Sequence, residues 1–202
     1  SVENGVTLLE TPEGPMPIEV FGAHNLNNLA GTKWIGQNMG VDEADFYEAI
    51  ATFKGASKRL EKIAETKTAV AYKDFAHSPS KVKATTEAVK AQYPNRKLVA
   101  CLELHTYSSL NAEFLKEYEG ALDAADVAVV FYSPDAVKIK QLEEVTYEQI
   151  SEAFNRKDLI IYTNPEEFKE FLKEHDLKES ALLLMSSGNY GGLNFDEIQG
   201  LL

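Results

Sequence analysis

Apolar residues fall into two regimes along this chain. From residue 68 onward, short continuous apolar runs recur: Thr68 to Tyr72, Lys97 to Leu102, Val127 to Phe131, Leu159 to Tyr162 and Ala181 to Met185. The run Val127-Ala128-Val129-Val130-Phe131 lacks polar alternation, which suits a strand covered on both faces. Segments with helical start and stop signals alternate with these runs: Ser80 to Tyr93, Asn111 to Leu122, Thr146 to Phe154, Pro165 to Lys173 and Phe195 to Leu202. The loops beginning Tyr132-Ser133-Pro134-Asp135 and Thr163-Asn164-Pro165-Glu166 read as turns with helix caps. This β-α-β-α succession predicts an α/β fold around a mostly parallel, helix-covered sheet, with ligands gathering at the strands' carboxyl ends.

The first 60 or so residues are patterned differently. Val6 to Leu9 and Ile18 to Phe21 read as short strands around the turn Thr11-Pro12-Glu13-Gly14-Pro15. After Gly22 a helix is predicted to about Met39, with Leu26, Leu29, Trp34 and Ile35 on one side and Gly40 as its stop. A second helix starts at Val41-Asp42-Glu43-Ala44-Asp45, carries Phe46, Ala49, Ile50 and Phe53, and ends by Gly55. The short connection predicts that the two pack together. Ala56 to Ile63 alternates basic with apolar and reads as a strand or linker where two units meet, dividing residues 1–62 from 63–202.

Composition narrows the partners. The 202 residues are 44% hydrophobic, enough for a globular core, and carry a formal net charge of -12. That balance argues against a nucleic-acid binder or a binder of anionic membranes, so a phosphorylated ligand would need a local basic patch. Cys101 stands alone inside an apolar run, which reads as an inert buried thiol in a reducing, cytoplasmic setting. No apolar run approaches the roughly 18 residues of a membrane span, so no membrane insertion is expected. The chain starts at Ser1 in a strand-like segment without an initiator Met, and reads as a piece excised from a longer polypeptide.

Four stretches carry candidate chemistry. In Gly22-Ala23-His24-Asn25-Leu26-Asn27-Asn28, Asn25 and Asn28 fall on one helical face. Each carboxamide pairs a donor with an acceptor, as an adenine edge does; alternatively Asn25 caps the helix and Asn28 is solvated. In Lys73-Asp74-Phe75-Ala76-His77-Ser78-Pro79, Asp74 could accept from vicinal ribose hydroxyls or simply satisfy loop backbone. Glu103-Leu104-His105-Thr106-Tyr107-Ser108-Ser109 follows a strand and suits a polar small molecule, with a solvated His105 as the other reading. Ser186-Ser187-Gly188-Asn189-Tyr190-Gly191-Gly192 lets backbone amides approach a ligand. The motifs GxxxxGK[ST], CxxC, HExxH and GxSxG are all absent, and no metal site is expected.

Taken in order, these stretches resemble the ATP-dependent Mur ligases, which build the peptide stem of bacterial cell-wall precursors. Residues 22–28 are similar to that family's GxHNxxN signature, Phe53-Lys54-Gly55-Ala56-Ser57-Lys58-Arg59-Leu60-Glu61 to its basic hinge, and residues 74–79 to its DDxxHHP-type loop. The resemblance implies that residues 1–62 are the tail of the central ATPase domain and 63–202 a Rossmann-like C-terminal domain. It implies that Asn25 and Asn28 contact the adenine of ATP, Asp74 the ribose and Arg59 the phosphates, with His24 supporting the helix start. His105, Tyr107, Ser108, Ser187, Gly188 and Asn189 fall where the amino substrate is contacted, and His77 is a weak catalytic candidate. The implied reaction uses ATP and Mg²⁺ to activate UDP-N-acetylmuramate for attack by an amine. The hinge and the Leu102-Glu103 strand end look closer to the branch that adds a whole L-alanyl-γ-D-glutamyl-meso-diaminopimelate muropeptide. Thr106 and Ser109 stand where the alanine-adding branch carries arginines, so a carboxylate would lack its bidentate clamp there. Lys73 and Ser78 also depart from the family pattern. The phosphate loop, the carbamylated lysine and the UDP-sugar domain of the family are absent, so this stretch alone is expected to be inactive. An alanine-adding ligase, a non-catalytic nucleotide- or metabolite-binding α/β module and a dinucleotide-binding oxidoreductase domain remain alternatives, the last without a GxGxxG fingerprint.

Overall fold

The computed structural model describes residues 1–3 and 5–202. A small antiparallel sheet comes first, ordered β1-β2-β3, from β1 (Val2–Glu3), β2 (Val6–Thr11) and β3 (Gly14–Ile18). The strand expected from Ile18 to Phe21 thus lies earlier, across Pro15 and Pro17, which pair with Glu10 and Leu8. Prolines are tolerated because β3 is an edge strand; alternate residues direct their missing amides to the same free side. Helix α1 (Ala23–Asn38) and helix α2 (Glu43–Ala51) follow, α2 capped by the Asp42 carboxylate, which accepts from the Asp45 amide at 2.9 Å. They meet through the Lys33 ammonium, which donates to Glu43 and, at 2.7 Å, to the Tyr47 hydroxyl. The apolar side expected for α1 is only partly covered: Leu26 and Leu29 are half-buried, none of its residues is fully buried, and Trp34 and Ile35 are exposed. Gly31, Thr32, Lys33 and Gly36 interrupt the stripe, so no continuous apolar face forms.

The larger sheet has six strands in the order β4-β5-β9-β6-β7-β8: β4 (Glu61–Glu65), β5 (Val70–Asp74), β6 (Lys97–Glu103), β7 (Val127–Phe131), β8 (Ile160–Tyr162) and β9 (Ser180–Met185). All neighbours are parallel except β4, which runs antiparallel to β5. The division expected after residue 62 falls inside β4, so the sheet itself already begins at Glu61. Side chains of β6 alternate between two cores. Leu98, Ala100 and Leu102 pack with Val82 and Val89 of α3 (Pro79–Gln92), Leu115 of α4 (Ala112–Leu115), Val137 of α5 (Pro134–Ile139) and Phe154 of α6 (Tyr147–Phe154). Val99 and Cys101 pack on the other face with Phe168 and Leu172 of α7 (Pro165–Glu174) and with Tyr190 and Ile198. Burying such side chains stabilises by about 1.5–3 kcal/mol each, which is why the runs are continuous.

Three segments differ from expectation. The helix expected from Asn111 to Leu122 closes early, as α4 and a 3₁₀ turn Lys116–Tyr118, and Gly120 follows at a φ of 70°. The Ser133-Pro134-Asp135 turn continues into α5, with Ser133 capping Ala136. Phe195–Gly200 is 3₁₀ rather than α. Among the described residues no helix is long and apolar enough to cross a membrane.

Insertion of β9 between β5 and β6 shapes the site. It brings the loops after β5, β9 and β6 side by side at one end of the sheet, beneath α1 and the start of α3.

Candidate functional site

A cavity of 720 Å³ lies between the first half of α1, the chain leaving α2 and the first half of α3. His24, Asn25, Asn28, Arg59 and Asp74, which are up to 50 positions apart in sequence, all line it. Gly22 sets the approach of α1: its φ is 85°, and a Cβ there would sit 2.7 Å from the Ala88 Cβ of α3. No L side chain fits that conformation and that spacing together. The Asn25 Nδ2 donates to the Phe21 carbonyl at 3.0 Å, which leaves its Oδ1 to face a ligand. Asn28 is exposed, with no side-chain hydrogen bond among the described residues. Lys54, Arg59 and Lys81 line the same cavity and form no ion pair among the described residues. On a chain of charge -12 this is the local basic patch a phosphorylated ligand requires. Burial lowers the His24 pKa, with Asp74 opposing and Arg59 adding, so the imidazole is held neutral beside the cavity.

Asp74 does something the sequence left open. Its carboxylate accepts from the Leu60 amide at 2.6 Å through Oδ2 and from the Ala76 amide at 2.6 Å through Oδ1. The Phe75 amide donates to the Lys58 carbonyl at 3.0 Å. Lys58 and Leu60 hold φ values of 58° and 43°, so this turn is strained backbone latched to the end of β5. Asp74 therefore satisfies loop backbone, the plainer of its two readings, and in doing so holds Arg59 at the cavity. Only its remaining lone pairs are left for a ribose.

The second group of residues meets at the ends of β6 and β9. Glu103, buried to 3% exposure, accepts from the Ser186 hydroxyl and from the Tyr190 amide at 2.8 Å, and its Oε1 lies 3.5 Å from the His105 Nδ1. The Gly188 amide donates to the Ser186 Oγ at 2.6 Å, and a Cβ at Gly188 would be 2.8 Å from the Glu103 carboxylate and 3.0 Å from His105. The Tyr190 hydroxyl, buried and held protonated by desolvation, lies 2.8 Å from both the Cys101 and the Met185 carbonyls. His105 and Gly188 are thus brought together against Glu103, with Ser187 next to Gly188 in the chain. Asn189 instead turns its Oδ1 back on the Gly192 amide at 3.2 Å, and Tyr107 and Ser108 stand exposed at the outer edge. His77 is tied to its own loop: Nδ1 sits 2.8 Å from the Phe75 carbonyl, its ring packs edge-on against Phe75, and it does not line the cavity. Thr106 and Ser109 bond to each other, with the Thr106 amide donating to Ser109 Oγ at 2.9 Å and the Ser109 amide to Thr106 Oγ1 at 3.1 Å.

Lys54, Lys81 and the organising role of Glu103 went unread in the sequence. A carboxylate ending a continuous apolar run was the one available signal for Glu103; Lys81 carries none, because only the packing of α3 aims it.

The family model for the Mur ligase glutamate ligase domain matches residues 58–188. The chain belongs to the Mur ligase family. This Mur ligase chain is 32% identical over 183 residues to a UDP-N-acetylmuramate-L-alanine ligase of Microcystis aeruginosa, covering 87% of this chain and 37% of that protein. Its fold is similar to that of a UDP-N-acetylmuramate-alanine ligase from Thermotoga maritima, with a TM-score of 0.66 at 19% identity over 87% of this chain and 37% of that one. A murein peptide ligase from Psychrobacter arcticus is similar with a TM-score of 0.58 at 19% identity, covering 93% of this chain and 37% of that one. The Mur ligase chain described here spans a little over a third of the length of these proteins.

Proposed function

We propose that this chain is the nucleotide- and amine-handling part of a cytoplasmic ATP-dependent ligase that forms an amide on UDP-N-acetylmuramate. Residues up to about 60 would be the tail of its central ATPase domain and the remainder, from β4 onward, its C-terminal domain. The observation that carries the reading is the cavity: one 720 Å³ space lined by two carboxamides, an imidazole and three uncommitted cations suits a nucleotide. In it Asn28 and the Asn25 Oδ1 face the adenine edge and Lys54, Arg59 and Lys81 meet phosphate charge, while Asp74 and Gly22 hold the backbone that presents them. ATP would donate a phosphoryl group to the UDP-N-acetylmuramate carboxylate, with ADP leaving, and the Glu103–His105–Gly188 cluster would position the amine that displaces phosphate from the resulting acyl phosphate. Among the described residues there is no cluster of three or more His, Cys, Asp or Glu that could hold a metal ion.

For the amine we favour a peptide, L-alanyl-γ-D-glutamyl-meso-diaminopimelate. Thr106 and Ser109 spend their hydroxyls on each other, and no arginine stands there to clamp a small amino acid. A second reading, L-alanine, is supported by the relative from Microcystis aeruginosa. Turnover measured with the complete enzyme, ATP, Mg²⁺ and UDP-N-acetylmuramate against an amine panel decides between them. The peptide reading expects the tripeptide to exceed free L-alanine at least tenfold in kcat/KM; comparable values end it.

A further inference from the structure

The edge of the large sheet farthest from the nucleotide cavity is open. There β8 pairs only with β7, in parallel, with Ile160 opposite Val129 and Tyr162 opposite Phe131. The Tyr162 carbonyl accepts from the Tyr132 amide at 3.1 Å, so by strand alternation Ile160 and Tyr162 face β7 while the amide and carbonyl of Ile161 face outward. Nothing among the described residues pairs with them, which makes this edge a template for a further strand. Both of its flanks are aromatic. On one flank the exposed Tyr147 of α6 reaches the Leu159 carbonyl at 3.5 Å. On the other a groove of 460 Å³ runs between β8 and α7, lined by Tyr162, Glu167, Glu170, Phe171, Glu174 and His175. Its floor is a row of rings, with Tyr162 and Phe171 centroids 5.5 Å apart and Phe171 and His175 centroids 4.9 Å apart. Its rim is formed by the exposed carboxylates of Glu167, Glu170 and Glu174, none of which forms an ion pair among the described residues. Burial and then the nearby Lys97 lower the His175 pKa, so near neutral pH the imidazole does not offset that charge. The Lys97 Nζ lies 3.4 Å from the His175 Nε2 but does not line the groove.

We propose that this edge docks a basic, extended segment of a partner protein, which adds a strand to β8 and lays arginine or lysine side chains over the rings between Glu167, Glu170 and Glu174. The occupant's chemistry follows from the two halves of the surface. Main-chain bonds to Ile161 are indifferent to sequence, whereas the groove receives every second side chain of the added strand and selects among them. A cation is favoured there twice, by the unpaired carboxylates and by the faces of the rings. A second copy of the chain fits badly, because antiparallel pairing of β8 with itself brings two such sets of carboxylates together on chains that each carry a net charge of -12. Strands β9, β6 and β7 separate β8 from β5, so the docked segment leaves the nucleotide cavity free.

The test is a titration of the 202-residue chain, followed by backbone amide chemical shifts, with three blocked hexapeptides. One alternates arginine with valine, one alternates glutamate with valine, and the third is the arginine peptide with every backbone amide N-methylated, so that it can donate to no strand. The arginine peptide is expected to give saturable shifts at Ile160, Ile161, Tyr162, Phe171 and Glu174 that weaken as salt is added. Neither control peptide should saturate these residues. Replacing two rim carboxylates together, by Glu170→Gln and Glu174→Gln, should weaken the arginine peptide at least fivefold while amides away from α7 keep their positions. Equal binding of the glutamate or the N-methylated peptide, shifts that never saturate or that centre elsewhere, or indifference to the double variant would overturn the proposal. Concentration-dependent dimerisation of the chain alone through β8 would overturn it too, by making a second copy the occupant.

Discussion

The two polar regions at the end of the large sheet are built on opposite plans. Around Glu103 nearly every polar group is committed: the carboxylate to Ser186 and Tyr190, Ser186 to Gly188, Tyr190 to two carbonyls, and Thr106 to Ser109. Around the large cavity the side chains of Asn28, Lys54, Arg59 and Lys81 are left over, and the committed groups, Gly22 and Asp74, hold backbone. A buried, saturated network fixes geometry and carries stability, whereas uncommitted donors on a rigid frame are what a ligand completes. Substitution of the committed groups should therefore read out as stability, and substitution of the uncommitted side chains as binding.

The largest expected effect is at Glu103. Glu103→Ala strips the acceptor from the buried Tyr190 amide and from Ser186, and denaturant unfolding should show a loss of about 3 kcal/mol. A loss under about 1 kcal/mol would mean that the network is decorative. Next comes Asp74→Asn, whose single carbonyl oxygen can serve only one of the Leu60 and Ala76 amides; a cost of about 2 kcal/mol is expected. In the full-length enzyme Asp74→Ala should also raise the KM for ATP several-fold, because the turn carrying Arg59 is released; unchanged kinetics would separate the latch from the nucleotide site.

Asn28→Ala sharpens the contrast from the other side. Stability should move by less than about 0.5 kcal/mol, since the side chain is exposed, while ADP affinity by calorimetry falls roughly tenfold, the worth of one good hydrogen-bond pair. An equal loss of stability would erase the distinction between the two regions. The smallest effect is the pH dependence at His24. Because burial lowers its folded pKa, the unfolded chain binds the proton first; stability is full above about 6.5 and is eroded as the pH falls through that value towards the lowered one. His24→Gln should flatten that slope in unfolding measured between pH 5 and pH 7.5, roughly the span over which an ordinary histidine titrates; an unaltered slope would show that His24 is not its source.

What the sequence made legible follows from the range of the physics. The five apolar runs after residue 68 each became a strand, since burial on both faces writes itself locally as continuous hydrophobicity, β8 at the sheet edge being only half-buried. The position of β9 between β5 and β6 was not legible, because strand order depends on crossovers of a hundred residues. Pro15, read as part of a turn, lies in β3 because an edge strand tolerates proline, and of the apolar side read on α1 Trp34 and Ile35 stand exposed. At the site, paired carboxamides behind a glycine were readable as a motif, but the partners of Asp74 were not: Leu60 comes to it through a left-handed turn that no local rule demands.

On the proposed reading the asparagines of α1, Arg59 and Asp74 surround one nucleotide. A structure of this chain determined with ADP tests it most directly. The adenine is expected against Asn28 and Asn25 in the cavity between α1 and α3, with the phosphates towards Arg59 and Lys81. Nucleotide bound elsewhere, or that cavity vacant at saturating ADP, would contradict it.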